Sequence, residues 1–298
     1  MTATNDAPTI RVQHHVSQPL PTGVSLSYFE YDPGDDAAAT SAAPGTAPIV
    51  LIHGATDSHL SFSQIAPLIA NAGFHVIVPE LRGHGLSDRP LDKPYTVAQH
   101  TADVLALLKQ LGVERAHVVG HSLGSFIAQR IGATTDLAVT ISLLGSAATL
   151  RGNAAFSWLL DGGDGFPGLN HTDALDDAFV RDWAATDNPD EEFRRATYEH
   201  ARALPIELWR HIFADMEPDF ADQSAIHAPV LLFHGAGDEF FGDRDQLDLI
   251  GRLGSETVLY LTIPGIGHNG HWDKGQAPVF ADDIVRFART APGYRTRP

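Results

Sequence analysis

Short apolar runs that end abruptly in glycine or histidine constrain this chain more than any other feature. Ile49–Ile52, Phe74–Val78, Ala116–Gly120, Val139–Leu144, Val230–Phe233 and Val258–Ile263 show almost no polar alternation. Runs of this kind suit strands covered on both faces, as in parallel sheets. Helical spacing separates most of them: residues 61–72, Thr96–Leu111, Leu123–Ile131 and Ala277–Arg289. Thr96 with Gln99 three residues on forms a capping-box signature, and Gly112 supplies a stop. Strands alternating with helices predict an α/β fold, a mostly parallel central sheet with helices on both faces. Residues 9–31 read as an added hairpin, with its turn at Pro21-Thr22-Gly23 and its second strand at Val24–Tyr31.

The pattern breaks between Ser146 and His227, where no apolar strand run occurs and helical stretches such as 176–185 and 191–203 take over. The reading is a core of residues 1–145 and 228–298 with a helical lid, 146–227, inserted in it. The lid carries 16 acidic and 6 basic residues, so most of the net charge of −17 resides there. Asp35–Pro48, rich in Ala, Thr, Pro and Gly, reads as a flexible surface loop.

Composition removes whole classes of function. An excess of acidic residues argues against nucleic acid and anionic membrane surfaces as partners. There is no cysteine, so disulfides, thiolate nucleophiles and iron–sulfur clusters are excluded. Met1–Gln18 lacks the pattern of a signal peptide, and no stretch has the roughly 20 apolar residues of a membrane helix. The expectation is a soluble cytoplasmic protein. His268 and His271 lie three apart and His14 and His15 are adjacent, but no His-Glu-x-x-His pattern accompanies them, so no catalytic metal is expected. No Gly-x-Gly-x-x-Gly follows a strand, and no cofactor is expected.

The chemistry starts at Gly120-His121-Ser122-Leu123-Gly124, which falls between a strand and a helix. Glycines on either side permit a turn tight enough to lift the serine above the strand ends. The Leu123 N–H, at a helix N-terminus, then points toward developing negative charge. A serine needs a histidine base and an orienting carboxylate. His234-Gly235-Ala236-Gly237-Asp238 and Gly265-Ile266-Gly267-His268 each follow a strand, on the same sheet edge as Ser122. Glu239, Asp243, Asp245 and His271 are nearby rivals for those two roles.

These segments, with Leu51-Ile52-His53-Gly54 and the loop from Pro79 to Asp88, resemble the α/β-hydrolase fold family in its lid-bearing esterase, lactonase and haloperoxidase-like branch. The resemblance runs from about residue 24 to 290. It implies that Ser122 is the nucleophile, His268 the general base and then acid, and Asp238 the orienting acid. It also implies oxyanion donors at Ala55 and Leu123. Position favours Asp238 and His268 over their rivals, and makes His271 a supporting or packing residue. Leu144-Gly145-Ser146-Ala147 offers no carboxylate as an alternative acid. Two positions depart from the family: Glu80 replaces a usual aspartate, at a structural site, and Ser125 replaces a frequent glycine and should tighten packing beneath the helix. Arg82-Gly83-His84-Gly85 is expected to turn the chain rather than bind an anion.

The expected reaction is hydrolysis of a small neutral ester or lactone, since the acidic lid repels anions. Phe126, Trp158 and Phe240 are expected to touch the substrate. Phe62 and Phe241 belong to neighbouring loops, and Phe156, Phe166, Phe179, Trp183 and Trp209 either line the pocket or seal the lid. Other readings share the triad: perhydrolase or haloperoxidase, carbon–carbon bond hydrolase, acyltransferase, and a ligand-binding receptor on the same fold. A cofactor-free dioxygenase needs mainly the His–Asp pair. Epoxide hydrolases and haloalkane dehalogenases need a carboxylate nucleophile where Ser122 stands. The sequence leaves oligomeric state open.

Overall fold

The computed structural model describes residues 10–33, 47–184 and 191–291. The expected surface loop at 35–48 lies almost wholly outside them. Strands β1 (Arg11–Val16), β2 (Ser27–Asp32), β3 (Ile49–Ile52), β4 (Val76–Pro79), β5 (Ala116–His121), β6 (Ala138–Leu144), β7 (Val230–Gly235) and β8 (Val258–Ile263) form one sheet. Their order is β1-β2-β4-β3-β5-β6-β7-β8. The pairs β1/β2 and β2/β4 are antiparallel, and all the others are parallel. The N-terminal hairpin thus extends the sheet at one edge. Its turn is closed by Leu20 N–H to the Val24 carbonyl at 2.8 Å.

The unbroken apolar runs are explained by the two faces. Alternate residues of a strand point to opposite sides. Ile49 and Leu51 enter one apolar cluster, with α1 (Ala66–Asn71) and α9 (Ala277–Thr290). Val50 and Ile52 enter the other, with α2 (Val97–Gln110) and α3 (Leu123–Thr134). Both positions of each pair are fully buried, each side chain contributing about 1.5–3 kcal/mol. Strand β8 departs from this expectation. It is an edge strand, and Leu259 is 45% exposed.

The expected 61–72 helix divides into a short turn at His59–Phe62 and the helix α1. Pro67 lies in the first turn of α1, a place where its missing N–H costs nothing. Helix α2 is capped as expected: Thr96 Oγ1 accepts from the Gln99 N–H at 3.0 Å, and Gly112 follows at φ +73°.

Between β6 and β7 the described residues form helices α4 (Ala154–Asp161), α5 (Asp177–Trp183), α6 (Glu191–Arg202) and α7 (Ile206–Ala214). Leu159, Val180, Trp209 and Phe213 join the apolar cluster of α2 and α3, so this helical insertion shares the core of that face. Helix α8 (Asp243–Arg252) follows β7 on the same side through Leu249. Among the described residues no helix is long and apolar enough to cross a membrane.

Candidate active site

Ser122 sits where β5 turns into α3, with φ +51° and ψ −118°. A non-glycine residue at positive φ is strained and persists only where its surroundings hold it. Here the Ser122 N–H donates to the Leu144 carbonyl at 3.0 Å. The Ser125 hydroxyl donates to the Ser122 carbonyl at 2.6 Å and lies 2.7 Å from the Ser146 hydroxyl. Ser125 therefore ties the helix to its neighbour strand's end, in keeping with tighter packing at that position. The two glycines are required by contact. A Cβ on Gly120 would lie 2.1 Å from the Gly124 carbonyl oxygen, and one on Gly124 would lie 2.0 Å from that of Ile52.

The turn after β3 lies against the serine. A Cβ on Gly54 would be 3.2 Å from Ser122 Cβ. Two buried histidines lock this turn. His53 Nε2 accepts from the Leu81 N–H at 3.0 Å, which leaves Nδ1–H to donate to the Gly54 carbonyl at 2.8 Å. His84 Nε2 accepts from the Thr56 N–H at 3.0 Å, and its Nδ1–H donates to the Arg82 carbonyl at 2.8 Å. Burial pushes His53 down to about 4 and His84 down to about 3, so both act as neutral imidazoles with one donor and one acceptor. Thr56, at φ +61°, also accepts from Trp183 Nε1 at 2.7 Å. The turn that carries Ala55 is thus pinned from the core and from the helical insertion. Leu123 opens α3, where the first N–H groups have no intrahelical acceptor.

Asp238 and His268 meet across β7 and β8. His268 Nδ1 lies 3.0 and 3.1 Å from the two carboxylate oxygens. Asp238 also accepts from the N–H groups of Phe240 and Phe241 at 2.9 and 3.0 Å. Burial by itself raises the Asp238 carboxyl, but His268 and the two N–H groups outweigh it and hold it below the usual range. The rivals make other contacts. Glu239 accepts from the His268 backbone N–H at 3.3 Å, and Asp243 reaches His234 at 3.4 Å. Asp245 accepts from the Gly242 N–H at the start of α8. His271 is buried, with Nε2 3.0 Å from the Ser61 hydroxyl.

The imidazole of His268 rests on Gly145, at φ +54°, where a Cβ would fall 2.7 Å from the ring Cε1 and 2.8 Å from Nδ1. We expect Gly145→Ala to displace the ring and lower kcat by about 100-fold. Steady-state kinetics checks this, and a kcat within threefold of the parent would show that the ring tolerates the methyl group.

Ser122, His268 and Ala55 border one cavity of about 320 Å³. Trp158 and Phe240, expected at the substrate, line it. Phe126 does not line it. It is fully buried, stacked on Phe220 at 4.2 Å, because one turn into α3 the helix has already passed below the serine into the core. Phe62, Phe241 and Trp209 are likewise fully buried, and Phe166 stacks on Phe179 at 4.4 Å. Phe156, Phe179 and Trp183 do line the cavity. So do Asp57, Phe213 and Trp272, which sequence reasoning missed. Trp272, four residues past His268, was within reach of the sequence signal.

The loop after β4 is structural. Arg82 and Asp103 are both fully buried and joined by two contacts, 2.5 and 2.9 Å, so the guanidinium is already neutralised. Glu80 accepts from His59 Nδ1 at 2.7 Å and from the Leu86 N–H at 2.7 Å.

A model of the alpha/beta hydrolase fold family matches residues 47–275. Among curated proteins the chain is similar to Epoxide hydrolase A of Mycobacterium tuberculosis, 36% identical over 105 residues, 32% of this chain and 33% of that protein. The match therefore spans about a third of that relative's length. A hydrolase from Pseudomonas aeruginosa PA01 superposes with a TM-score of 0.73 at 19% identity, over 97% of this chain and 100% of that one. An enol-lactonase from Burkholderia xenovorans LB400 gives a TM-score of 0.68 at 18% identity, over 92% and 100%. These likenesses establish the fold, and the family match covers the serine turn, the carboxylate and the histidine together: the chain belongs to the alpha/beta hydrolase fold family.

Proposed function

We propose that the protein is a serine hydrolase that cleaves small neutral carboxylic esters or lactones through an acyl-enzyme on Ser122. The observation that carries this reading is the pairing of His268 with both oxygens of a buried Asp238, on the wall of the cavity that Ser122 enters. In the proposed cycle Ser122 Oγ attacks the carbonyl and His268 Nε2 takes its proton. The N–H groups of Ala55 and Leu123 hold the oxyanion, an effect of about 3 kcal/mol per donor. His268 returns the proton to the leaving alkoxide, then activates the water that releases the acid. Asp238 stays ionised throughout and fixes the tautomer. The helical insertion serves as the lid that sets substrate size.

The epoxide hydrolase relatives raise a different bond as the target. That chemistry needs a carboxylate nucleophile, and the residue at this turn is Ser122, which favours acyl transfer. The lactonase neighbour is in keeping with it. Perhydrolase and carbon–carbon bond cleavage begin at the same serine, and a receptor would bind without turnover. The test is a panel of p-nitrophenyl esters and simple lactones, with fluorophosphonate labelling followed by mass spectrometry. One adduct on Ser122, with turnover lost in proportion to labelling, is expected. Turnover that survives complete labelling, or an unlabelled serine, would overturn the proposal.

A further inference from the structure

The cavity wall combines aromatic rings with carboxylates. Trp158, Trp183 and Phe240 contribute faces, Asp57, Asp182 and Glu239 contribute carboxylates, and among the described residues neither lysine nor arginine lines it. The rings are continuous from the mouth inward. Phe179 bridges Trp158 and Trp183 at 6.4 and 6.1 Å, Trp183 is 5.8 Å from Phe240, and Phe240 is 4.8 Å from His268. Asp182 and Glu239 are exposed, whereas Asp57 is 9% exposed. Asp57 Oδ1 accepts from the Ser58 N–H at 2.8 Å, but Oδ2 is buried with no hydrogen-bond partner among the described residues. A buried carboxylate oxygen without a donor is costly.

We propose that the site prefers esters bearing an alkylammonium group, with Asp57 as the counter-ion and the surrounding rings as the walls. A tetraalkylammonium is large, apolar at its surface and positive, and aromatic faces attract it through their quadrupoles. Asp57 supplies the fixed charge that such a group lacks in a purely aromatic pocket. Asp182 and Glu239 at the mouth draw cations in and repel anions. The ionisation of Asp57 is in keeping with this. Burial above all, reinforced by Glu80, outweighs the Ser58 hydrogen bond and pushes it up to about 7, and a cation alongside restores the charged form. The preference replaces the neutral ester of the proposed function by a cationic one, and rests on the serine-hydrolase reading only for the bond that is broken.

The test separates the two. Choline and its uncharged isostere 3,3-dimethyl-1-butanol are titrated calorimetrically into the intact protein at low salt, which requires no turnover. Choline is expected to bind about tenfold more tightly, and Asp57→Asn to reduce that advantage to about twofold. Equal binding of the two, or no binding of either at millimolar concentration, overturns the proposal, as does an undiminished advantage in Asp57→Asn. The comparison on the unaltered chain decides the matter even if that variant does not fold. In turnover, butyrylcholine should exceed 3,3-dimethylbutyl butyrate in kcat/KM by about tenfold. Choline binding without Ser122 labelling would leave the cation site standing and remove the serine hydrolase.

Discussion

Ser122→Ala is expected to lower kcat on the best ester at least 10,000-fold, an estimate on the order of what removing a triad nucleophile costs elsewhere. The reason is local. His268 is oriented by Asp238 whether or not a hydroxyl is present, so the variant keeps its base and loses only the atom that attacks. The Ser122 side chain does not cap α3, and the turn is held by backbone contacts and by Ser125. Thermal stability should therefore remain close to that of the parent. Residual activity from the oxyanion donors and binding stays far below the parent level. Kinetics and a melting curve on the same preparation check both statements. Activity within tenfold of the parent would remove Ser122 from the nucleophile's role.

Acid is expected to unfold the protein far sooner than its carboxylates alone require. Burial above all pushes His53 and His117 down to about 4, and His84 and His271 down to about 3. His100 and His121 are lowered as well, by burial and by neighbouring histidines. In the unfolded chain each histidine titrates near ~6.5. As pH falls through that value the unfolded chain takes up protons that the folded chain refuses, so stability present above ~6.5 is lost toward about 4. Each site contributes up to about 1.4 kcal/mol per pH unit in that window. Asp57 acts in the opposite sense between about 7 and its unfolded value, offsetting one histidine. Glu80, lowered to about 2, adds a further loss below its ordinary range. The net slope, on the order of 7 kcal/mol per pH unit at its steepest, is comparable with the whole stability of a typical domain. Urea unfolding at pH 7.5, 6.5 and 5.5 checks it. A midpoint that holds steady down to pH 5.5 would mean that these rings are protonated in the fold.

Ser122, Asp238 and His268 were legible as candidates because each follows an apolar strand run, and parallel strands bring their carboxyl ends to one edge. The sheet was legible for the same reason; β8 was legible as a strand, but no apolar count reveals its edge position. Helix α8 escaped notice because Asp243–Arg252 buries little besides Gln246 and Leu249, and five of its ten residues are charged. Helix α7 did carry a signal: Leu208, Trp209, Ile212 and Phe213 recur at helical spacing and are all buried. Phe126 was misplaced because nearness to Ser122 in sequence is not nearness to the substrate, once a helix leads away from the turn. Asp57 was missed for a deeper reason. A single aspartate in a polar stretch reads as solvated, and only packing shows that one of its oxygens is enclosed without a partner.

Of the four tryptophans in the chain, Trp158, Trp183 and Trp272 line the cavity that Ser122 borders. The fourth, Trp209, has its ring 5.6 Å from that of Trp183. Almost all of the near-ultraviolet emission therefore originates in or beside the cavity, with no indole elsewhere to dilute it. The polarity that those indoles sense changes when water gives way to a guest. The protein carries an intrinsic optical gauge of what occupies its cavity, and ligands that react with nothing can be ranked on it without a dye or a coupled assay.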